Sequence, residues 1–141
     1  LEAVLPTDGQ YVILIREFNG IPGDYVVRLT AMPVATPEAR GMLVYGQPVS
    51  GVLDMQHTVV YYFEGRQNET IQVELEPVSL ESDFAFTLLG PNGRSRYQID
   101  ETATGHPETF ITTLDEDGLW GIVISEFFNE GGDYALTINR Q

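Results

Sequence analysis

Two residue types are missing from this chain of 141 residues: cysteine and lysine. The absence of cysteine excludes disulfides, thiolate metal sites and thiol catalysis. The absence of lysine leaves seven arginines against 21 acidic residues, and the formal net charge is −14. Because such a charge repels phosphate groups, we expect neither nucleic acid nor an anionic membrane surface as a partner.

Long apolar runs are also missing. No run approaches the roughly 20 residues of a membrane-spanning helix, and the first residues lack the basic and apolar regions of a signal peptide. The hydrophobic content is nevertheless 43%, which is enough to form the core of an ordinary domain. The length predicts one domain, or one domain with a fragment of another.

Alternating patterns of strands dominate the chain. In "TIQVELE" (70–76), Ile71, Val73 and Leu75 share one face and polar residues the other, which is typical of a half-buried strand. Similar or β-branched runs occupy residues 58–63, 83–89, 119–125 and 133–138. Turns rich in Gly, Asn and Asp separate them, and this spacing predicts an all-β sandwich or barrel.

One stretch differs from the rest. Residues 31–42 contain two prolines and several small residues without alternation, which is typical of a linker. The sequence therefore predicts an N-terminal piece, 1–30, a linker, 31–42, and a β-sandwich domain, 43–141.

The N-terminal piece repeats the end of the chain. Aligned without gaps, residues 5–30 and 114–139 are identical at ten of 26 positions, including Glu17/Glu126, Phe18/Phe127 and Tyr25/Tyr134. The shared pattern of an Asp-Gly turn, a strand, a glycine turn and a second strand predicts a β-hairpin in each copy. Residues 1–30 are thus interpreted as the closing hairpin of a preceding repeat.

A two-stranded hairpin is marginally stable alone, so its apolar face needs a cover. That face is predicted to comprise Ile13, Ile15, Tyr25, Val27 and Leu29. Three covers stay open: the 43–141 domain, a second copy of the chain in a homodimer formed by pairing or hairpin exchange, or the rest of a longer tandem array.

Residues 43–140 resemble the bacterial pre-peptidase C-terminal domain family. The resemblance rests on "GQPVSGVLD" (46–54), "TVVYYFEGRQNETIQVELE" (58–76), "SDFAFTLLGPNGR" (82–94) and the closing "LDEDGLWGIVIS…GGDYALTI", in that order. Many members end the next strand in paired aspartates, whereas this chain has Asp100 and Glu101.

This resemblance implies a jelly-roll-like antiparallel β-sandwich, to which the sequence adds the N-terminal hairpin. It also implies a secreted or cell-surface bacterial protein in which the domain is not catalytic. Some members bind calcium, and some bind collagen or other polymers.

Acidic turns supply candidate metal ligands. Calcium takes 6–8 oxygen ligands from carboxylates and carbonyls, and calcium is the cofactor expected here if these turns are more than solvated surface. The candidates are expected to lie close together at one end of the sandwich, and they are Asp100, Glu101, Asp115, Glu116 and Asp117. A weaker second group is Asp54, Glu81 and Asp83.

Aromatic side chains supply a candidate binding surface, if they are not core and rim residues. Tyr62 alternates away from Tyr61 and Phe63, and Phe127-Phe128 follow a strand. These positions favour contact with an extracellular protein or polysaccharide.

Catalysis is not expected. No Gly-x-Ser-x-Gly elbow accompanies the two histidines, and nothing fixes a glycosidase-like pair of carboxylates. The sequence predicts a non-catalytic accessory or adhesion module of a secreted or surface bacterial protein that binds a polymer and calcium. The alternative is a structural repeat that acts as a spacer and assembles through hairpin exchange.

Overall fold

The computed structural model describes residues 36–141 and, in the N-terminal piece, residues 12, 13, 15 and 23–27. The chain divides into two units, Leu1–Val34 and Ala35–Gln141. In the first unit the eight described residues lie in no strand, and Ile13, Ile15, Tyr25 and Val27 are exposed. Leu29 and most of the predicted hairpin lie outside the described residues, so the hairpin and the homodimer stay predictions.

The second unit is all-β. Its nine strands are β1 (Glu38–Met42), β2 (Val49–Leu53), β3 (Val59–Gly65), β4 (Thr70–Pro77), β5 (Phe84–Leu89), β6 (Ser95–Ile99), β7 (Glu108–Thr113), β8 (Gly118–Glu126) and β9 (Gly132–Arg140). Residues 36–141 contain no helix. None of the described residues therefore belongs to a helix that could span a membrane.

The strands form two sheets with the order of a jelly roll. The first sheet has the order β1-β3-β8-β5-β6, and the second has the order β2-β9-β4-β7. Every pairing is antiparallel except that of β1 with β3. Strands β2 to β9 alternate between the sheets except for the neighbouring pair β5 and β6, as in the double Greek key of a jelly roll, so the predicted fold class is confirmed.

The core lies between the sheets. Ile71, Val73 and Leu75 of β4 are completely buried, as their alternation predicts. The Trp120 ring of β8 stacks on Phe63 of β3 at 6.5 Å. These positions carry most of the apolar burial that stabilises the fold.

Strand β1 changes the predicted linker. Residues 38–42, placed in the linker 31–42 by composition, pair in parallel with β3. All five residues of β1 are exposed, so the strand has no buried face and no apolar alternation for a sequence pattern to reveal. Gly41 has a φ of 120° at an irregular register, which also departs from a regular strand.

Candidate functional site

The two ends of the sandwich differ in character. At one end lie the loops 54–58, 78–83, 100–107 and 127–131, hereafter the aromatic end. At the other lie the loops 43–48, 66–69, 90–94 and 114–117, hereafter the arginine end. The strand register assigns the loops to these ends. Gly65 and Gly118 pair at the arginine end, where β3 ends and β8 begins, and Glu126 at the other end of β8 pairs with Phe84, the first residue of β5.

Phe127 and Phe128 form the centre of the aromatic end. They follow β8 directly, and their side chains are 62% and 55% exposed. The two rings pack edge to face, with centroids 5.1 Å apart. Both rings therefore keep apolar surface in water.

The neighbouring loops expose three further large apolar side chains, those of Met55, Val78 and Leu80. Met55 in the β2–β3 turn is 64% exposed, and Leu80 after β4 is 81% exposed. The sequence pattern does not reveal Met55 or Leu80, because neither belongs to an alternating strand. Exposed apolar groups that cluster on one surface mark binding sites more often than isolated ones.

Hydrogen bonds tie these loops together. The Gln56 N–H donates to the Asn129 carbonyl at 3.1 Å, and the Phe127 N–H donates to the Asp83 carbonyl at 2.8 Å. The Ser82 hydroxyl donates to the Gly131 carbonyl at 3.4 Å. The aromatic end is therefore one connected surface built from loops that are far apart in sequence.

Gly131 permits the close approach of two of these loops. Its φ of 80° lies in the left-handed region, and a Cβ atom there would overlap the Leu53 carbonyl oxygen and come within 3.1 Å of the Met55 nitrogen. Only glycine meets both conditions without strain. The turn that carries Phe128 can therefore pack directly on the turn that carries Met55.

A buried carboxylate organises the same loops. Glu126 is only 4% exposed. Its Oε1 accepts a hydrogen bond from the Asp83 N–H at 3.2 Å, and its Oε2 accepts one from the Glu130 N–H at 2.8 Å. Hydrogen bonds to a charged group are stronger than neutral ones, so Glu126 fixes the loop on each side of Phe127. The identity of Glu17 and Glu126 in the repeat was the signal that could have identified this residue.

The third predicted aromatic residue lies elsewhere. Tyr62 is half-buried in β3, where it pairs with Gly121 of β8 and Met42 of β1. Its neighbours Tyr61 and Phe63 point into the core, so Tyr62 lies on the outer face of the first sheet. It does not join Phe127 and Phe128 in one surface.

The five predicted metal ligands do not form one site. Asp100 follows Ile99, and Ile99 and Ile124 both pair with Phe86 of β5, from its two neighbouring strands. Asp115, Glu116 and Asp117 precede Gly118, which is six residues from Ile124 along β8 and thus roughly 20 Å away. The expectation that Asp100 and Glu101 lie near the other three is wrong, because β6 and β8 bring them to opposite ends.

At the arginine end the acidic turn is paired within the protein. Arg96 forms ion pairs with Asp115, at 3.5 Å, and with Glu116. Asp117 Oδ1 accepts a hydrogen bond from the Gln67 N–H at 2.8 Å. Residues 36–141 and the few described residues before them contain no group of three or more His, Asp or Glu side chains placed to hold a metal ion.

Tyr45 belongs to a second charged cluster at the arginine end. Its hydroxyl donates to Glu69 Oε2 at 3.1 Å, and the Arg140 guanidinium lies 4.1 Å from its ring centroid. Burial, together with the nearby Glu69 carboxylate, raises the pKa of the Tyr45 hydroxyl to about 12. The hydroxyl therefore stays protonated well above its ordinary range.

The loop after Asp100 is held by another buried carboxylate. Glu108 is completely buried, and it accepts hydrogen bonds from the Glu101 N–H, the Thr102 N–H and the Thr102 hydroxyl. The oxygens of Glu108 thus serve the protein itself. The side chains of Asp100 and Glu101 are exposed beside this loop.

Comparisons with known proteins support the fold alone. No family model matches the chain, and no curated protein matches it in sequence. Among solved structures, the pre-peptidase C-terminal domain of a collagenase from Bacillus anthracis aligns with a TM-score of 0.55 at 14% identity, over 77% of this chain and 100% of that domain. At such identity the alignment indicates a shared fold rather than a shared function.

Two other solved structures show the same likeness. PliG of Aeromonas hydrophila, a periplasmic inhibitor of g-type lysozyme, aligns with a TM-score of 0.57 at 12% identity, over 75% of this chain and 100% of PliG. CorA of Methylomicrobium album, a surface-associated copper-binding protein, aligns with a TM-score of 0.58 at 5% identity, over 77% and 100%. The β-sandwich fold of this chain is therefore similar to that of a collagenase domain, a periplasmic inhibitor and a surface-associated protein.

Proposed function

We propose that this chain is a non-catalytic binding module of an exported bacterial protein, and that it holds another protein through the aromatic end. The observation that carries the proposal is the exposure of Phe127, Phe128, Met55 and Leu80 at one end of the sandwich, on loops that hydrogen bonds connect. Aromatic residues and methionine are enriched in protein interfaces. The structural likeness to a pre-peptidase C-terminal domain and to a protein inhibitor supports a module of this class.

A protein fits this surface better than a polysaccharide. The two phenylalanine rings meet at 83°, so they do not form one flat platform on which a sugar ring could stack. Met55 and Leu80 add flexible aliphatic surface instead. An uneven apolar cluster with a polar rim is the usual anatomy of a protein interface.

Site-specific photocrosslinking tests this proposal. A photoreactive benzoyl-phenylalanine at position 128 should yield a protein adduct when the full chain is mixed with the exported proteins of its source bacterium. The same group at Ile111, which is exposed on β7 away from both ends, is the matched control. Equal adducts from both positions, or none from position 128, would contradict the proposal.

A second candidate function is that of a structural repeat, which the repeated hairpin sequence favours. In that case residues 1–30 would assemble with a second copy or with a neighbouring repeat. Light scattering over a range of concentrations tests it, and a monomer at every concentration would count against hairpin exchange between copies.

Calcium binding also stays a proposal, now divided between two separate acidic groups, Asp100-Glu101 and Asp115–Asp117. A ligand that binds only the native state raises the unfolding midpoint, so millimolar calcium should raise it. Asp100→Asn and Asp117→Asn would assign the end of the sandwich that is responsible. An unchanged midpoint of the parent chain would remove calcium from the account.

A further inference from the structure

The charges of the sandwich are separated between its two ends. Residues 36–141 contain five arginines, and four of them lie at the arginine end: Arg66, Arg94, Arg96 and Arg140. The fifth, Arg40, lies on the edge strand β1, where it pairs with Glu38 at 3.1 Å. No arginine lies in the described loops of the aromatic end, 54–58, 78–83, 100–107 and 127–131.

The aromatic end carries carboxylates on its loops instead. Around the aromatic end, exposed carboxylates include those of Asp54, Glu81, Asp100, Glu101, Glu130 and Asp133, and that of Glu38, which pairs with Arg40 and whose N–H donates to the Thr58 carbonyl. They lie on the same loops as the four apolar side chains or directly beside them. The Val78 N–H donates a hydrogen bond to the Asp133 carbonyl, which joins the loop after β4 to the start of β9. The apolar cluster therefore has a rim of one sign of charge.

From this arrangement we infer that the partner of the aromatic end is a basic protein segment in which lysine or arginine side chains flank an apolar residue. This inference rests on the proposed function. Apolar side chains would enter between Phe127, Phe128, Met55 and Leu80, while the flanking cations would meet the carboxylates of the rim. Complementary charge raises the association rate and selects the partner, and apolar contact at the centre supplies most of the affinity.

Alternative partners fit the rim less well. An acidic protein or an anionic polysaccharide would meet several carboxylates of its own sign, and like charges across an interface oppose binding. A neutral sugar would leave the rim without a role. Opposite charge at the rim is thus the feature that distinguishes a basic protein segment from other polymers.

Three labelled peptides of equal length, alike in their apolar residues, provide the test. One carries lysines beside the apolar residues, one carries glutamines there, and one carries glutamates. By fluorescence anisotropy with the full chain, the lysine peptide should bind at least about tenfold more tightly than the glutamine peptide, and the glutamate peptide most weakly. Raising the salt concentration from about 50 mM to about 500 mM should weaken the lysine peptide most, because exposed charges are screened.

Matched variants locate the binding. The double variant Glu81→Gln/Glu130→Gln removes two charges from the rim, and Glu64→Gln/Glu74→Gln removes two from elsewhere. We expect the first double variant to lower the affinity for the lysine peptide about fivefold or more, and the second to lower it less than about twofold. Equal weakening by both would overturn the inference, since it would show attraction to the net charge of −14 rather than to this site.

Phe128→Ala separates the inference from the proposed function. Suppose that the parent chain binds the lysine and glutamine peptides with equal affinity, and that Phe128→Ala lowers both affinities by about tenfold. The aromatic end then binds protein, but the inference of a basic partner is overturned. If Phe128→Ala lowers the affinity for neither peptide, and so behaves like the control Ile111→Ala, the proposed function fails as well. Far-ultraviolet circular dichroism of each variant confirms that the fold is intact.

Discussion

Gly51 and Tyr134 face each other on β2 and β9, and their contact shows how single residues join the sheets. The Tyr134 ring lies over Gly51, where a Cβ atom would overlap the phenol group. Its hydroxyl reaches Tyr61 of the first sheet at 3.1 Å. Burial and this hydrogen bond raise the pKa of Tyr134. The sequence predicted a strand over residues 133–138, but the role of Gly51 depends on a partner 83 residues away.

Gly51→Ala should therefore destabilise the protein. A methyl group at this position would have to displace the Tyr134 ring, and such overpacking costs about 1–3 kcal/mol of unfolding free energy. Urea unfolding measures the change. Ser50→Ala, at an exposed position of the same strand, is the control and should change the unfolding free energy by less than about 0.5 kcal/mol; equal effects would contradict the packing argument.

Tyr45 should make stability depend on pH in the alkaline range. Its pKa rises from 10.0 to about 12 in the folded protein, so the unfolded state loses the proton first as the pH increases. Below about pH 10 the stabilisation is complete, and it is lost as the pH rises from about 10 to about 12. When urea unfolding is measured at several pH values, the unfolding free energy of Tyr45→Phe should fall less steeply between about pH 10 and about pH 12 than that of the parent chain.

Ser50→Ala, which removes no titratable group from an exposed position of β2, provides the control for that experiment. It should leave the pH dependence of the parent chain unchanged. Parallel pH curves for the parent and Tyr45→Phe would show that the Tyr45 hydroxyl does not titrate as described.

At the scale of elements, Glu126 connects the end of β8 to the loops on both sides. One of its carboxylate oxygens accepts a hydrogen bond from the Asp83 N–H, and the other accepts one from the Glu130 N–H. A glutamine has one carbonyl oxygen, so it can satisfy only one of them, and its amide group would face the other N–H. This one side chain therefore controls the placement of Phe127 and Phe128.

Glu126→Gln should lower the unfolding free energy by about 1–3 kcal/mol, the usual cost of leaving a buried donor unsatisfied. It should also weaken binding of the lysine peptide, although the substituted side chain would touch no part of the partner. Glu74→Gln, on a half-buried residue of β4, is the control for the loss of charge. A variant with parent-like stability and affinity would show that Glu126 does not organise the loops.

The strands differ in how well the sequence predicts them. The alternating or β-branched runs of β3, β4, β5, β8 and β9 were predicted close to their bounds, because each has a buried face. The edge strands β1 and β7 were missed. In β7 the burial alternates, but Phe110 and Thr112 are only half-buried and Ile111 is exposed, so hydrophobicity does not follow the buried face.

At the scale of the whole molecule, the jelly roll decides which loops meet. Acidic turns and exposed aromatics were recognisable in the sequence, yet their grouping depends on strand order. Asp100 and Asp115 are close in sequence but lie at opposite ends, whereas Met55 and Phe127 are distant in sequence but lie at the same end. Charge separation between the ends is a property of this topology, and composition alone reveals only the net charge.

Chemical-shift mapping by nuclear magnetic resonance tests binding at the aromatic end most directly. The full chain labelled with ¹⁵N is titrated with the lysine peptide. We expect the largest amide shifts in residues 54–57, 78–83 and 127–131, and little change in residues 66–69 and 114–117. Shifts centred on the arginine end, or spread evenly over the sandwich, would contradict binding at the aromatic end.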